Sequence, residues 1–117
     1  MTLSSLEPGL RAAVDAAQEK KAGDIVVLDL RGLASFTDYF VICTGTSHRQ
    51  IESIADEVET SLKALSQRPI HKEGYPRGEW ILMDYVDFVV HIFTPKSREY
   101  YDLERLWGDA EKLAVAS

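Results

Sequence analysis

The chain has 117 residues, 45% hydrophobic and 27% charged, a globular balance that needs no disulfide or metal to close a core. Lysine plus arginine is 13 and aspartate plus glutamate is 19, and the net charge of −6 excludes a protein that grips nucleic acid through many phosphates or binds an anionic membrane. The single cysteine allows no internal disulfide, no run approaches the roughly 18 apolar residues of a membrane span, and the start lacks a signal-peptide pattern, so the expectation is one cytoplasmic domain over 1–117.

Ser4-x-x-Glu7 fits a capping box, and Pro8 stands where a first helical turn tolerates proline. Leu6, Leu10, Val14 and Ala17 then fall at helical spacing, which predicts a first helix to about Ala22, ended by Gly23. Residues 25–30 and 39–44 are apolar, strand-sized runs of the kind covered on both faces. Ser47-x-x-Gln50 is a second capping box, and Ile51, Ile54, Ala55, Val58, Leu62 and Leu65 form the stripe of a second helix. A weak third strand follows over 69–73, with its proline at a start or edge position, and Tyr75-Pro-Arg-Gly78 reads as a turn. Residues 79–84 and 87–93 read as an antiparallel hairpin about a Tyr85-Val86 turn. Thr94-Pro95 starts a last helix carrying Tyr100, Leu103, Leu106 and Trp107, and Gly108 stops it. The residues after Gly108 extend or fray. The order helix-strand-strand-helix-strand-strand-strand-helix predicts an α/β (mixed α+β) domain, a five-stranded mixed sheet packed with three helices, its core over about 5–109.

The strand-to-helix junction Thr44-Gly-Thr-Ser-His48 offers backbone amides that could hold a phosphate. It lacks the P-loop pattern, and capping by Ser47 already accounts for it. Gly-Thr-Ser here looks like the Gly-Ser turn of nucleotidyltransferases, but the strand that follows has no Asp-x-Asp pair to hold metals. The likeness therefore points to fold rather than catalysis. Cys43 with His48 matches no cysteine-enzyme signature, and His48, His71 and His91 show no metal-ligand spacing. No catalytic residue, metal or cofactor is assigned.

The hairpin is the most informative segment. Counted outward from a Tyr85-Val86 turn, Asp84 faces Asp87, Leu82 faces Val89 and Trp80 faces His91, all on one sheet face. Ile81, Met83, Phe88, Val90 and Ile92 form the other face, which is purely apolar and is the natural core. Two carboxylates directly opposed need a reason to coexist, and a basic partner would supply one. Trp80 with aliphatic and charged neighbours has the composition of an interface hot spot, yet a helix could equally cover it as core. In the last helix Tyr100, Leu103 and Trp107 share one stripe, with Tyr101 projecting to the side.

Four blocks, beginning at Asp24, Phe36, Glu79 and Tyr100, resemble the ribosomal silencing factor (Iojap) family over nearly the whole chain. The resemblance implies a nucleotidyltransferase-like fold without the catalytic carboxylates, hence no enzyme. It implies binding to the large ribosomal subunit through its ribosomal protein fourteen. That blocks subunit joining and represses translation under starvation. It also implies a homodimer, with no direct DNA or membrane partner. By the same resemblance the partner-binding positions are Trp80, Leu82, Asp84, Tyr85, Asp87 and His91 in the hairpin, with Tyr101, Leu103, Glu104 and Trp107 in the last helix. The family commonly has glycine where this chain has Val86. Valine suits a positive-φ turn badly, so a different turn and register are open here.

Overall fold

The computed structural model describes residues 2–74 and 78–115. After a 3-10 turn at Leu3–Ser5, the chain runs through α1 (Pro8–Glu19), β1 (Gly23–Asp29), β2 (Tyr39–Thr44), α2 (His48–Lys63) and β3 (His71–Gly74). It continues through β4 (Trp80–Asp84), β5 (Phe88–Phe93), α3 (Pro95–Tyr101), α4 (Leu103–Leu106) and β6 (Glu111–Val115). The sheet order is β3-β4-β5-β2-β1-β6. Among the described residues only β2 and β5 pair in parallel, so the sheet is mixed, as the element order predicts.

Among the described residues the sheet has six strands rather than five. β6 is formed by the segment expected to extend or fray, and it pairs antiparallel along β1 from Ile25↔Val115 to Asp29↔Glu111. Its alternation is partial: Leu113 and Val115 lean on the core while Glu111, Lys112 and Ala114 face water. Such a weak pattern becomes a strand because β1 otherwise lacks a neighbour on that side. The expected Tyr75-Pro-Arg-Gly78 turn lies mostly outside the described residues.

Local chemistry explains the helix starts. Glu7 is the N-cap of α1, its carboxylate accepting from Gly9 N and Leu10 N. Ser47 caps α2 through Gln50 N at 3.1 Å. Thr94 caps α3 in a capping box with Ser97, and Pro95 follows at the first helical position. α1 ends at Glu19, so Gly23 opens β1 instead of closing the helix.

α1 and α2 seal one sheet face. Leu10, Val14 and Ala17 of α1 and Ile51, Ile54, Val58 and Leu62 of α2 meet Ile81, Met83, Phe88, Val90 and Ile92, all buried. This is the apolar hairpin face that alternation picks out. The opposite face has a smaller cluster of Val26, Leu28, Leu30, Phe40, Ile42, Val89 and Phe93. Among the described residues, short pieces cover it: the 30–38 connection, α3, α4 and the approach to β6.

Candidate functional site

The hairpin turn lies one residue further along than the sequence suggests. Tyr85 pairs with Phe88, its N–H donating to the Phe88 carbonyl at 2.9 Å, so Val86 and Asp87 form the turn. Asp87 N–H also reaches back to the Tyr85 carbonyl at 2.9 Å, and Val86 between them has φ +74°. This is a γ-turn of the strained, positive-φ kind, centred on a β-branched residue. Asp84 Oδ1 steadies it by accepting from Val86 N at 2.8 Å.

Moving the turn by one residue moves cross-strand partners by two. Trp80 therefore lies opposite Phe93, Leu82 opposite His91 and Asp84 opposite Val89, and the expected Trp80–His91, Leu82–Val89 and Asp84–Asp87 pairings are corrected. Because the shift is even, every side chain keeps its face. The two carboxylates are not opposed across the ladder, and Asp84 is occupied in its own turn. Asp87 is exposed, and its carbonyl accepts from Asp38 N at 3.0 Å, which brings the exposed Asp38 beside it.

The last helix is also rearranged. Asp102 takes φ +48° and breaks it into α3 and α4. The break reverses the expected roles of two tyrosines: Tyr100 is 80% exposed, while Tyr101 turns onto Trp80 with ring centroids 4.5 Å apart. Arg98 holds the break closed. Its guanidinium forms a two-pronged pair with the Glu104 carboxylate at 2.9 and 3.1 Å and donates to the Asp24 carbonyl at 2.6 Å. Arg98 holds the Glu104 carboxyl below its ordinary pKa.

These elements assemble an aromatic band across the less covered sheet face. Tyr101 meets Trp80, and Trp80 stacks on Phe93 at 4.9 Å. His91 follows at 5.8 Å from Trp80, and Phe40 meets the His91 ring edge-on at 4.4 Å. Trp107 and Phe36 close the band, each about 6 Å from Phe40 (6.2 and 6.1 Å). Trp80, Leu82, Leu103 and Trp107 are half-buried against the smaller cluster, and Tyr101 and Phe36 are 45% and 58% exposed.

The ten positions carried over from the resemblance thus separate. Trp80, Leu82, Tyr101, Leu103 and Trp107 come together on the band, and Asp84 and Asp87 lie at the sheet end below Leu82. Tyr85 points the other way, buried under α2 and stacked on Phe88 at 5.1 Å, and burial pushes its hydroxyl pKa up to about 12. His91 is on the correct face but buried beneath Trp80. Glu104 is committed to Arg98. Sequence reasoning missed Phe36 and Phe40 as band members; the signal for Phe36 was an aromatic in a connection that also carries Leu33 and Ala34, while Phe40 is a buried β2 residue whose apolar run gave none.

The Thr44–Ser47 loop is consumed by its own contacts. Thr46 N and Oγ1 both donate to Gln50 Oε1, and Gln50 Nε2 donates to the carbonyls of Lys20 and Lys21. A Cβ on Gly45 would lie 2.8 Å from Ile51 Cγ1, so the glycine answers a packing need. Cys43 is fully buried and its thiol is pushed up to about 12 by burial, far from a reactive thiolate. Among the described residues no cluster of three or more His, Cys, Asp or Glu could hold a metal ion, and no helix is long and apolar enough to cross a membrane.

Fold and face together define a mixed α/β protein with one sheet face sealed by two helices and the other presenting a half-covered aromatic surface. Residues 3–117 match the family described as ribosomal silencing factor during starvation. The ribosomal silencing factor of Bacillus subtilis is 41% identical over 101 residues, 86% of either chain. Protein Iojap of Zea mays chloroplasts is 38% identical over 100 residues, covering 86% of this chain and 43% of its own. A crystal structure from Chromobacterium violaceum matches with a TM-score of 0.83 at 33% identity, over 100% of this chain and 95% of that one. One from Bacillus halodurans matches at 0.76 and 36%, over 92% and 96%. The chain belongs to the ribosomal silencing factor family.

Proposed function

We propose that this protein represses translation by steric antiassociation. It docks on the large ribosomal subunit, on ribosomal protein fourteen, and keeps the small subunit from joining, performing no chemistry of its own. The observation that carries the reading is the half-covered aromatic band around Trp80, with Tyr101 and Phe36 exposed and Trp80 and Trp107 half-buried, in a chain of this family. Aromatic anchors half-buried among apolar neighbours are what interface hot spots are made of. Asp38 and Asp87 at the adjoining sheet end, and a net charge of −6, favour a basic protein surface over rRNA. The same reading makes the protein cytoplasmic and a homodimer whose band stays free for the ribosome.

Sedimentation of purified large and small subunits tests it. With the protein present, subunits stay apart and the protein travels with the large subunit alone. Trp80→Ala weakens binding to isolated ribosomal protein fourteen by about 2 kcal/mol or more. Normal subunit joining at saturating protein rules the mechanism out.

A further inference from the structure

The buried ring beneath the band suggests how its central anchor is held. His91 Nδ1 accepts a hydrogen bond from the Trp80 indole N–H at 3.2 Å. The imidazole is packed edge-on to Phe40 at 4.4 Å and parallel to Phe93 at 6.0 Å. It is 3% exposed. With Nδ1 accepting, the ring proton sits on Nε2, which has no hydrogen-bond partner. A buried histidine with half its polar groups unsatisfied is a poor way to fill a core, since leucine would fill the space without that cost. Among the described residues the ring's one hydrogen bond is with Trp80.

We propose that His91 is a positioning residue for the docking face: its Nδ1 fixes the rotamer of Trp80 and satisfies the indole N–H where a partner would shut out water. The inference rests on the docking role of Trp80 proposed above. In the free protein a half-buried indole that loses its acceptor can turn its N–H to water. Under a partner it cannot, so the loss falls on binding more than on folding. His91 is held neutral because burial lowers its pKa to about 3, which keeps Nδ1 an acceptor.

The test compares Trp80→Ala, His91→Leu and His91→Asn with the full-length parent, using purified large ribosomal subunits as probe and thermal melts alongside. Asparagine carries an oxygen near the Nδ1 position; leucine carries none. His91→Leu should melt at or above the parent temperature yet bind about tenfold more weakly. His91→Asn should melt lower, because it leaves a cavity, yet bind within about threefold of the parent. In the free protein, a through-bond NMR coupling between Trp80 Nε1 and His91 Nδ1 should be present in the parent. In His91→Leu the indole N–H resonance should move to a water-exposed position. Parent-like binding by His91→Leu, with Trp80→Ala impaired, overturns the positioning role and leaves the docking role standing. Parent-like binding by Trp80→Ala removes both. Binding that tracks melting temperature across the variants also overturns the inference, because it marks a merely structural residue.

Discussion

Replacing His91 with leucine should flatten the response of stability to mild acid. The ring is buried, and its folded-state pKa is lowered to about 3 by burial. In the unfolded chain a histidine titrates near 6.5, at about 1.4 kcal/mol per pH unit. Above pH 6.5 both states are neutral and the term is fully favourable to folding. As pH falls below 6.5 the unfolded chain takes up a proton that the folded protein refuses, and stability drops until about pH 3, where the folded ring protonates too. At pH 5 the parent has lost about 2 kcal/mol from this group alone. Every other titratable group is common to both proteins and cancels in the difference. Asp29 and Glu104, whose carboxyls are lowered chiefly by hydrogen bonds from Arg31 and Arg98, act in a separate window below about pH 4.5. Urea unfolding of both proteins from pH 7.5 to 5 reads the effect, as a stability gap that moves by about 2 kcal/mol in favour of the variant. A gap that stays constant refutes the reasoning, since it would mean the ring titrates alike in both states.

Substitutions at three further positions follow from the same geometry. Val86→Gly should stabilise the protein by about 1 kcal/mol in urea unfolding, because relief of φ +74° at a β-branched residue outweighs the extra freedom of the unfolded glycine. Arg98→Met should cost about 2 kcal/mol and speed amide exchange in α3 and α4, since it strips Glu104 and the Asp24 carbonyl of their donors. Asp84→Ala should cost about 1 kcal/mol while Asp84→Asn costs little, because asparagine keeps an oxygen for Val86 N. Equal losses in those two, again by urea unfolding, would show that charge rather than the turn bond matters there.

The strands and helices that form the core were legible because their signals are local. The stripe from Ile51 to Leu62, the caps at Ser47 and Thr94, and the alternation from Ile81 to Ile92 each name one face, and that face is buried. Charge and the lone cysteine narrowed the class, and four sequence blocks pointed to the family. Local signals do not reach further. Whether Tyr85 or Asp87 shares the turn with Val86 changes no alternation, so cross-strand partners stayed open until the ladder fixed them. Helical spacing through 95–107 assumes an unbroken helix, and the left-handed Asp102 is held by Arg98 reaching Glu104 and the distant Asp24 carbonyl. β6 exists because β1 needs a partner. Tertiary contacts decided which aromatic residues meet, placing Tyr101 rather than Tyr100 on Trp80 and His91 beneath it. Sequence periodicity selected the faces; long-range contacts decided how far each side chain on the open face is covered.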